Sequence, residues 1–581
     1  MNPGLAWRLL KGGGRRNLLG VWLTLAAVAV STALLLFAVA ANVAFDARAD
    51  RGAWRNPVPV DDGAVAIVGS RHDYVRDRPI TVVDLAALKD GLPAPPGLPR
   101  FPEPGEVWLS PALAALAAGL PPGELADRFA PAPERSSPPG RAAVPAGVLG
   151  DAALVHPDEL VAVIGNAPDG PAMTAPRGGD PVTGKPPVKV AGLAGTPSED
   201  AEAYQALAVI ASVLMVVPLV VFGGAAARLT VARRDQRLAA LRLVGATPGQ
   251  VVAMTVTEAM IVAVAGALAG AAGFAAAVPL LTRIEIQGGP WFAEDLFPGL
   301  PALAAVLVAV PLLVGMSAVA GLRRVVVSPL GVARRVTPPA LRFVRVLALL
   351  AALAAVPMAT SGAGVGIVAA ALALAFLCVN LVGPWAVGVI GRVTAGTART
   401  PARLLAGRRL VDDPRSAWRT VSGVALTGFV AGFLGLLSPG AFEDGGVPPE
   451  LRVTAPAGQV EQVTRRARER LEAAGVTATV TSSERIVAAA LGSTADPATV
   501  DRARTALAGL VPGRTPTTEA DDHLLGRQIF ADVRVGTIVV LSVSFLVAIA
   551  GAGITAMSSV LDRRRTYALL RLAGTPLEVL D

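Results

Sequence analysis

The stretch of this chain closest to known chemistry is Gly179 to Pro186, GDPVTGKP. A phosphate-binding loop cradles phosphates with backbone N–H groups, reaches them with a Lys and holds Mg²⁺ with the Ser or Thr that follows. Here Pro186 takes that last place, and no buried apolar strand precedes the loop. Nucleotide binding is therefore not expected. His72, His156 and His523 are scattered singletons without metal-ligand spacing, and no GxSxG elbow occurs. They read as ordinary surface residues, and neither a metal centre, a cofactor nor a hydrolase is expected. The single Cys378 supports no disulfide framework. The chain does not read as an enzyme, so any energy it uses must be released in another polypeptide.

Two other residue sets carry more information. Glu258 lies about two turns into an apolar segment, where a carboxylate is costly and is by default a functional candidate. The plainer reading pairs it with Arg242 or Arg237 near the membrane surface. Gly266 and Gly270, in the same segment, form a GxxxG that predicts close helix packing. The second set is a repeated phrase: LRLVGATPGQV from Leu241 and LRLAGTPLEV from Leu570. Arg242 and Arg571 fall at matching places 329 residues apart, each after an apolar run and an arginine cluster.

The elements that must position these residues are membrane spans. Hydrophobic residues make up 53% of the chain, charged residues only 17%, and mean hydropathy is +0.56, beyond what water-soluble domains alone would carry. Nearly uncharged blocks long enough to cross ~30 Å of hydrocarbon predict eight spans. They are Leu18 to Ala41, Ala206 to Arg228, Val251 to Leu281, Gly299 to Ala320, a two-span hairpin between Arg345 and Arg392 breaking near Thr360, Val421 to Leu437, and Val535 to Val560. The first exceeds the roughly 7 to 15 residues of a signal-peptide core and reads as an uncleaved anchor.

Net charge +8 invites a nucleic-acid reading, but the arginines cluster in alternate loops and lack aromatic interleaving. No nucleic-acid partner is expected. Arg15 and Arg16, Arg233 and Arg234, Arg334 and Arg335, Arg408 and Arg409, and Arg563 to Arg565 mark cytoplasmic loops, with the N-terminus inside.

The duplication also reaches upstream. Trp22, Thr24, Val28 and Ala29 recur as Trp418, Thr420, Val424 and Ala425, at an offset of 396 residues. Each copy opens with an arginine-bearing amphipathic segment that places its Trp near the headgroups. The predicted order is an amphipathic segment and span (1–45), a first extracytoplasmic domain (46–201), and a three-span core (202–320) with a cytoplasmic helix over 233–250. A linker (321–342), the hairpin (343–390), a second amphipathic segment and span (391–441), a second extracytoplasmic domain (442–531) and a last span with its helix (532–581) complete it. AVAIV from Ala64, PITVV from Pro79 and EVWLSPALAALAA from Glu106 predict strands and a helix in the first insertion. LRVTA, EQVTRRARERLEAA, TATVT, RIVAAA and a helix from Ala498 to Leu510 do so in the second. Both suggest α+β domains, while Ala167 to Pro187 reads as a loop or linker.

An apolar span, an arginine-rich turn, LRLVGAT, and a span with an early Glu and repeated glycines together resemble the FtsX-like permease domain of ABC transporters. This group includes macrolide and lipoprotein exporters. The resemblance covers both membrane halves. It implies a polytopic α-helical protein of the bacterial plasma membrane with two α+β extracytoplasmic domains. Coupling helices would dock on a separate cytoplasmic ABC ATPase and transmit its closure outward. That role would fall to Arg237, Leu241, Arg242, Gly245, Ala246 and Thr247, and to Leu570, Arg571, Gly574 and Thr575. The implied function is export or extraction of an amphiphilic substrate; the alternative is a signalling subunit that moves an external protein, such as a cell-wall hydrolase, without transport. Membrane lipids are the remaining expected partner. Two further spans are expected after the second motif, as in the first half, and would fall beyond Asp581; fragment and truncated product both stay open.

Overall fold

The computed structural model describes residues 14–129, 146–175, 184–232, 247–327, 346–347, 349–351, 354, 365–437, 449–492 and 495–572. A 40-residue helix, α1 (Gly14–Ala53), leads into a mixed sheet of β1 (Ala66–Val75), β2 (Arg78–Ala87), β3 (Val107–Leu109), β4 (Gly147–Val148), β5 (Val161–Gly165) and β6 (Val188–Val190), with α2 (Pro111–Gly119) between β3 and β4. The long helices α3 (Glu199–Ala232), α4 (Pro248–Leu281) and α5 (Gly299–Val327) follow. Next come α6 (Val365–Gly396), α7 (Pro401–Asp412) and α8 (Pro414–Leu437). The remainder is β7 (Glu450–Thr454), α9 (Val460–Ala473), β8 (Ala478–Ser483), β9 (Ile486–Leu491), α10 (Pro497–Leu507) and α11 (Glu519–Leu572).

Among the described residues, six helices are long and apolar enough to cross a membrane: Val21–Ala53, Glu199–Leu219, Val252–Leu281, Gly299–Val319, Gly366–Gly396 and Glu519–Gly553. Of the eight spans expected, the first arm of the hairpin lies mostly outside the described residues. The span expected at Val421 to Leu437 belongs to α8, whose described apolar stretch is the shorter Val421–Gly432. The protein is mostly helical, with sheet-bearing units between its membrane-length helices.

Both sheets match the expected strand–helix alternation. The first runs β4-β3-β5-β2-β1-β6 and the second β7-β9-β8. The β1–β2 hairpin turns on Arg76 and Asp77, both with positive φ, the backbone of the tight turns that suit strand twist. Ser110 caps α2 by accepting from the Leu113 N–H at 3.2 Å, with Pro111 in the first helical turn. Apolar side chains cover both faces of the first sheet, Val68, Val83 and Val163 on one and Ile80, Val82 and Ala162 on the other. In the second unit Val463, Ala467 and Leu471 of α9 close over Leu451, Val453 and Ala489.

The GxxxG reading holds in detail. A Cβ placed on Gly266 would lie 2.8 Å from Val28 Cβ, and one on Gly270 would strike the Ala29 carbonyl oxygen. The glycines therefore let α4 approach α1 backbone to side chain. One expectation needs correcting. Trp22 is 65% exposed, but Trp418 is only 9% exposed: it lies over Gly383 of α6 and donates from Nε1 to Asn380 Oδ1 at 2.9 Å. A neighbouring helix notched by glycine takes the ring that was assigned to the headgroups.

Candidate functional site

The predicted coupling residues fall at the edge of what the structure describes. Arg237, Leu241, Arg242, Gly245, Ala246, Gly574 and Thr575 lie outside the described residues. Leu570 and Arg571 belong to the last turn of α11, where only the backbone is described. Thr247 is the N-cap of α4: its side chain accepts from the Gln250 N–H at 3.3 Å, while Gln250 Oε1 accepts from the Thr247 N–H at 3.0 Å. This capping box, followed by Pro248, fixes where the span begins. Glu258 is half-buried in α4, ten residues past the helix start; both arginines proposed as its partners lie outside the described residues. Lys185 is followed by β6 rather than by a helix, and its Nζ donates to Asn56 Oδ1. The geometry that makes a phosphate loop, N–H groups at a helix start, is missing there.

Sequence reading missed a junction where the sheet-side ends of three long helices meet. Arg48, Arg51 and Arg55 follow the first apolar run at i, i+3 and i+7; α1 carries the first two on one face past the point where the span was expected to stop, and the turn that follows it carries Arg55. Arg48 is buried. It donates to the carbonyls of Ile286, Gly289 and Pro290 in the α4–α5 loop and stacks 3.5 Å from the centre of the Trp291 ring. Arg51 pairs with Glu294 at 2.6 Å and Asp295 at 2.9 Å, and Arg55 pairs with Glu159 at 2.5 Å. On the other side, Asp532 of α11 accepts from the Tyr204 hydroxyl of α3 at 2.6 Å and from the Gln287 N–H at 2.9 Å. Three long helices, one loop and the first sheet unit are thereby tied together by charge-assisted hydrogen bonds.

His156 completes this junction and corrects the expectation of a surface residue. Its ring packs on Gly289, where no side chain would fit, and its Nδ1 is buried without a hydrogen-bond partner. Burial lowers its pKa to about 4 against the opposing pull of Glu159, with Arg48 adding to the lowering. Beneath the junction is an apolar cavity of about 150 Å³, lined by residues such as Phe37, Phe45, Tyr204, Met215, Trp291 and Val540.

A second network joins the two sheet units. Arg128 is almost wholly buried. It donates to Asp73 Oδ1 (3.2 Å) and to the carbonyls of Tyr74 (2.7 Å), Glu124 (2.6 Å) and Asp501 (3.0 Å), while its Nε donates to Thr505 Oγ1 at 2.8 Å. Arg76, on the β1–β2 turn, bridges Glu124 and Asp501. Thr515 Oγ1 donates to the His72 carbonyl at 2.6 Å. Burial raises the Asp501 carboxyl above its ordinary range even though Arg128, Arg504 and Arg76 all pull it down.

Residues 209–329, which take in most of α3 and all of α4 and α5, match the FtsX-like permease C-terminal family. The chain carries an FtsX-like permease domain. No curated protein matches it. With the six membrane-length helices among the described residues, this domain indicates a multi-pass membrane protein and suggests a subunit of the ABC transporter permease type. Such proteins are transport components rather than enzymes in general, and typically partner an ATPase.

Proposed function

We propose that this chain is the membrane subunit of an ABC transporter of the bacterial plasma membrane, its N-terminus in the cytoplasm. It couples ATP hydrolysis by a separate ATPase to export or extraction of an amphiphile by moving its two extracytoplasmic sheet units. The observation that supports this reading is helix continuity. At 1.5 Å per residue the 54 residues of α11 extend ~80 Å, far beyond a ~30 Å hydrocarbon core, and the 40 residues of α1 extend ~60 Å. Each sheet unit is thus mounted on helices that run unbroken from the membrane, so a push at the inner end reaches the outer junction without a hinge. The apolar lining of the cavity at that junction is what favours an amphiphile over signalling without cargo.

The inner contact is assigned to Arg242 and Arg571 and their neighbours Arg237, Leu241, Gly245, Ala246, Thr247, Leu570, Gly574 and Thr575. Each arginine sits among apolar residues and would meet an acidic rim on the ATPase. The test is to make Arg242→Glu and Arg571→Glu separately, confirm membrane expression, and measure ATPase co-purification and substrate-stimulated hydrolysis. Both are expected to fall while the protein stays folded. Normal association and stimulation in both variants would remove the assignment.

A further inference from the structure

We propose that α7 and the end of α6 form a basic collar that binds the anionic headgroups of membrane lipids. The span Gly366–Gly396 of α6 is 31 residues long, which at 1.5 Å per residue is ~46 Å, so roughly ten residues overshoot a ~30 Å hydrocarbon core. Arg392, the one charged residue of α6, puts the overshoot at the α7 end. α7 runs back along it. A Cβ on Gly407 would lie 2.6 Å from the Ala395 N, and one on Gly391 would lie 2.8 Å from Leu410 Cβ, so the two glycines let the helices close on one another. The turn at Asp413 then passes the chain to α8. α7 is thereby fixed at headgroup depth, beside the end of one span and the start of the next.

Between residues 392 and 419 the chain carries seven arginines against two acids, Asp412 and Asp413. Arg392, Arg399, Arg403, Arg408 and Arg409 are exposed, and among the described residues none of these five makes an ion pair. Arg51, Arg55 and Arg128, by contrast, each hold a carboxylate. On α7, Leu405, Arg408 and Arg409 stand at i, i+3 and i+4 and share a face. Leu405 is 70% exposed, and Ile390 and Val393, at 57% and 59%, continue the apolar surface onto α6. Water is a poor cover for such a face. Apolar side chains and unpaired arginines at one depth fit the boundary of a bilayer, where the leucine enters the acyl region and guanidinium groups on flexible stems reach phosphate oxygens. A zwitterionic headgroup sets an ammonium beside its phosphate. An anionic headgroup leaves that phosphate uncompensated, so a basic cluster beside a span favours it. The collar rests on the membrane reading of these helices and not on transport.

For the test, the full chain carrying Cys378→Ser and Ala406→Cys is labelled with bimane at the exposed position 406. It is placed in phosphatidylcholine vesicles holding a minor fraction of doxyl-labelled phosphatidylglycerol or, in parallel, doxyl-labelled phosphatidylcholine. The same label at Leu377→Cys, on the exposed face of α6, is the control. At position 406 the phosphatidylglycerol probe is expected to quench about threefold more strongly than its partner, and at position 377 the two should quench alike. The preference should vanish in high salt, and when Arg403→Gln, Arg408→Gln and Arg409→Gln are combined with an unchanged thermal midpoint. Equal quenching by both probes at position 406, or a preference that survives loss of the three arginines, would overturn the collar. Quenching at position 377 alone would make this face a protein contact instead. Quenching at neither position would remove the membrane reading, and the collar with it.

Discussion

Arg128 presents five N–H donors, and the network uses both ends of the guanidinium: Nη1 and Nη2 for acids and carbonyls, Nε for Thr505. Truncating it to Ala would leave Asp73 buried without its counter-charge and Asp501 with Arg76 as its remaining ion pair, a loss of ~3–5 kcal/mol in such settings. Arg128→Lys would keep the charge but could not span the same acceptors, because an ammonium lacks the planar fork. The expected result is a lower thermal midpoint for both variants in detergent, with cross-linking between cysteines at His72 and Thr515 reduced. Arg128→Lys behaving like the parent would show that charge alone holds the units together. Sequence gave no warning of this residue: an arginine in a Pro-rich insertion looks solvated until the chain brings α10, more than 370 residues later, against it.

The α4–α5 loop acts as an element in its own right, clamped by Arg48 and Asp532 and overlain by His156. Because the folded pKa of His156 is lowered from 6.5 to about 4, the sign of its pH effect is fixed. Its neutral ring contributes fully above pH 6.5, and the contribution is lost as pH falls through about 4, on the order of 3 kcal/mol at most. Glu159, Asp158, Arg48 and Arg55 face the same ring and set the background. The thermal midpoint is therefore expected to drop between pH 6.5 and 4, and His156→Gln should flatten that drop. An unchanged acid slope in His156→Gln would remove the histidine from this account. The clamp on this loop was not legible in the sequence, since backbone carbonyls leave no trace there.

For the whole molecule, the arginine distribution makes a prediction about sides. With Cys378→Ser as background, a cysteine at Gly475 should react with an impermeant thiol reagent from outside, and one at Arg409 only after the membrane is opened. Arg409 labelled from outside would invert or break the proposed topology. On that sidedness both sheet units, and the Arg128 network between them, would lie opposite the predicted coupling helices, and a signal would have to travel along α1, α3 and α11.

Hydropathy, arginine position and the repeated LRL(V/A)G phrase by themselves determined the membrane class, most helix positions, the strand–helix order of both sheet units and the FtsX-like resemblance. These are local properties: a run of 20 apolar residues or a period-two strand declares itself within its own length. Tertiary structure alone decided which charges are buried, where the cavity lies, that Trp418 turns onto Gly383 rather than to the headgroups, and which face of α7 stays open. Each of those depends on a partner hundreds of residues away or in another helix, and the burial that sets its energy exists only once the chain has folded.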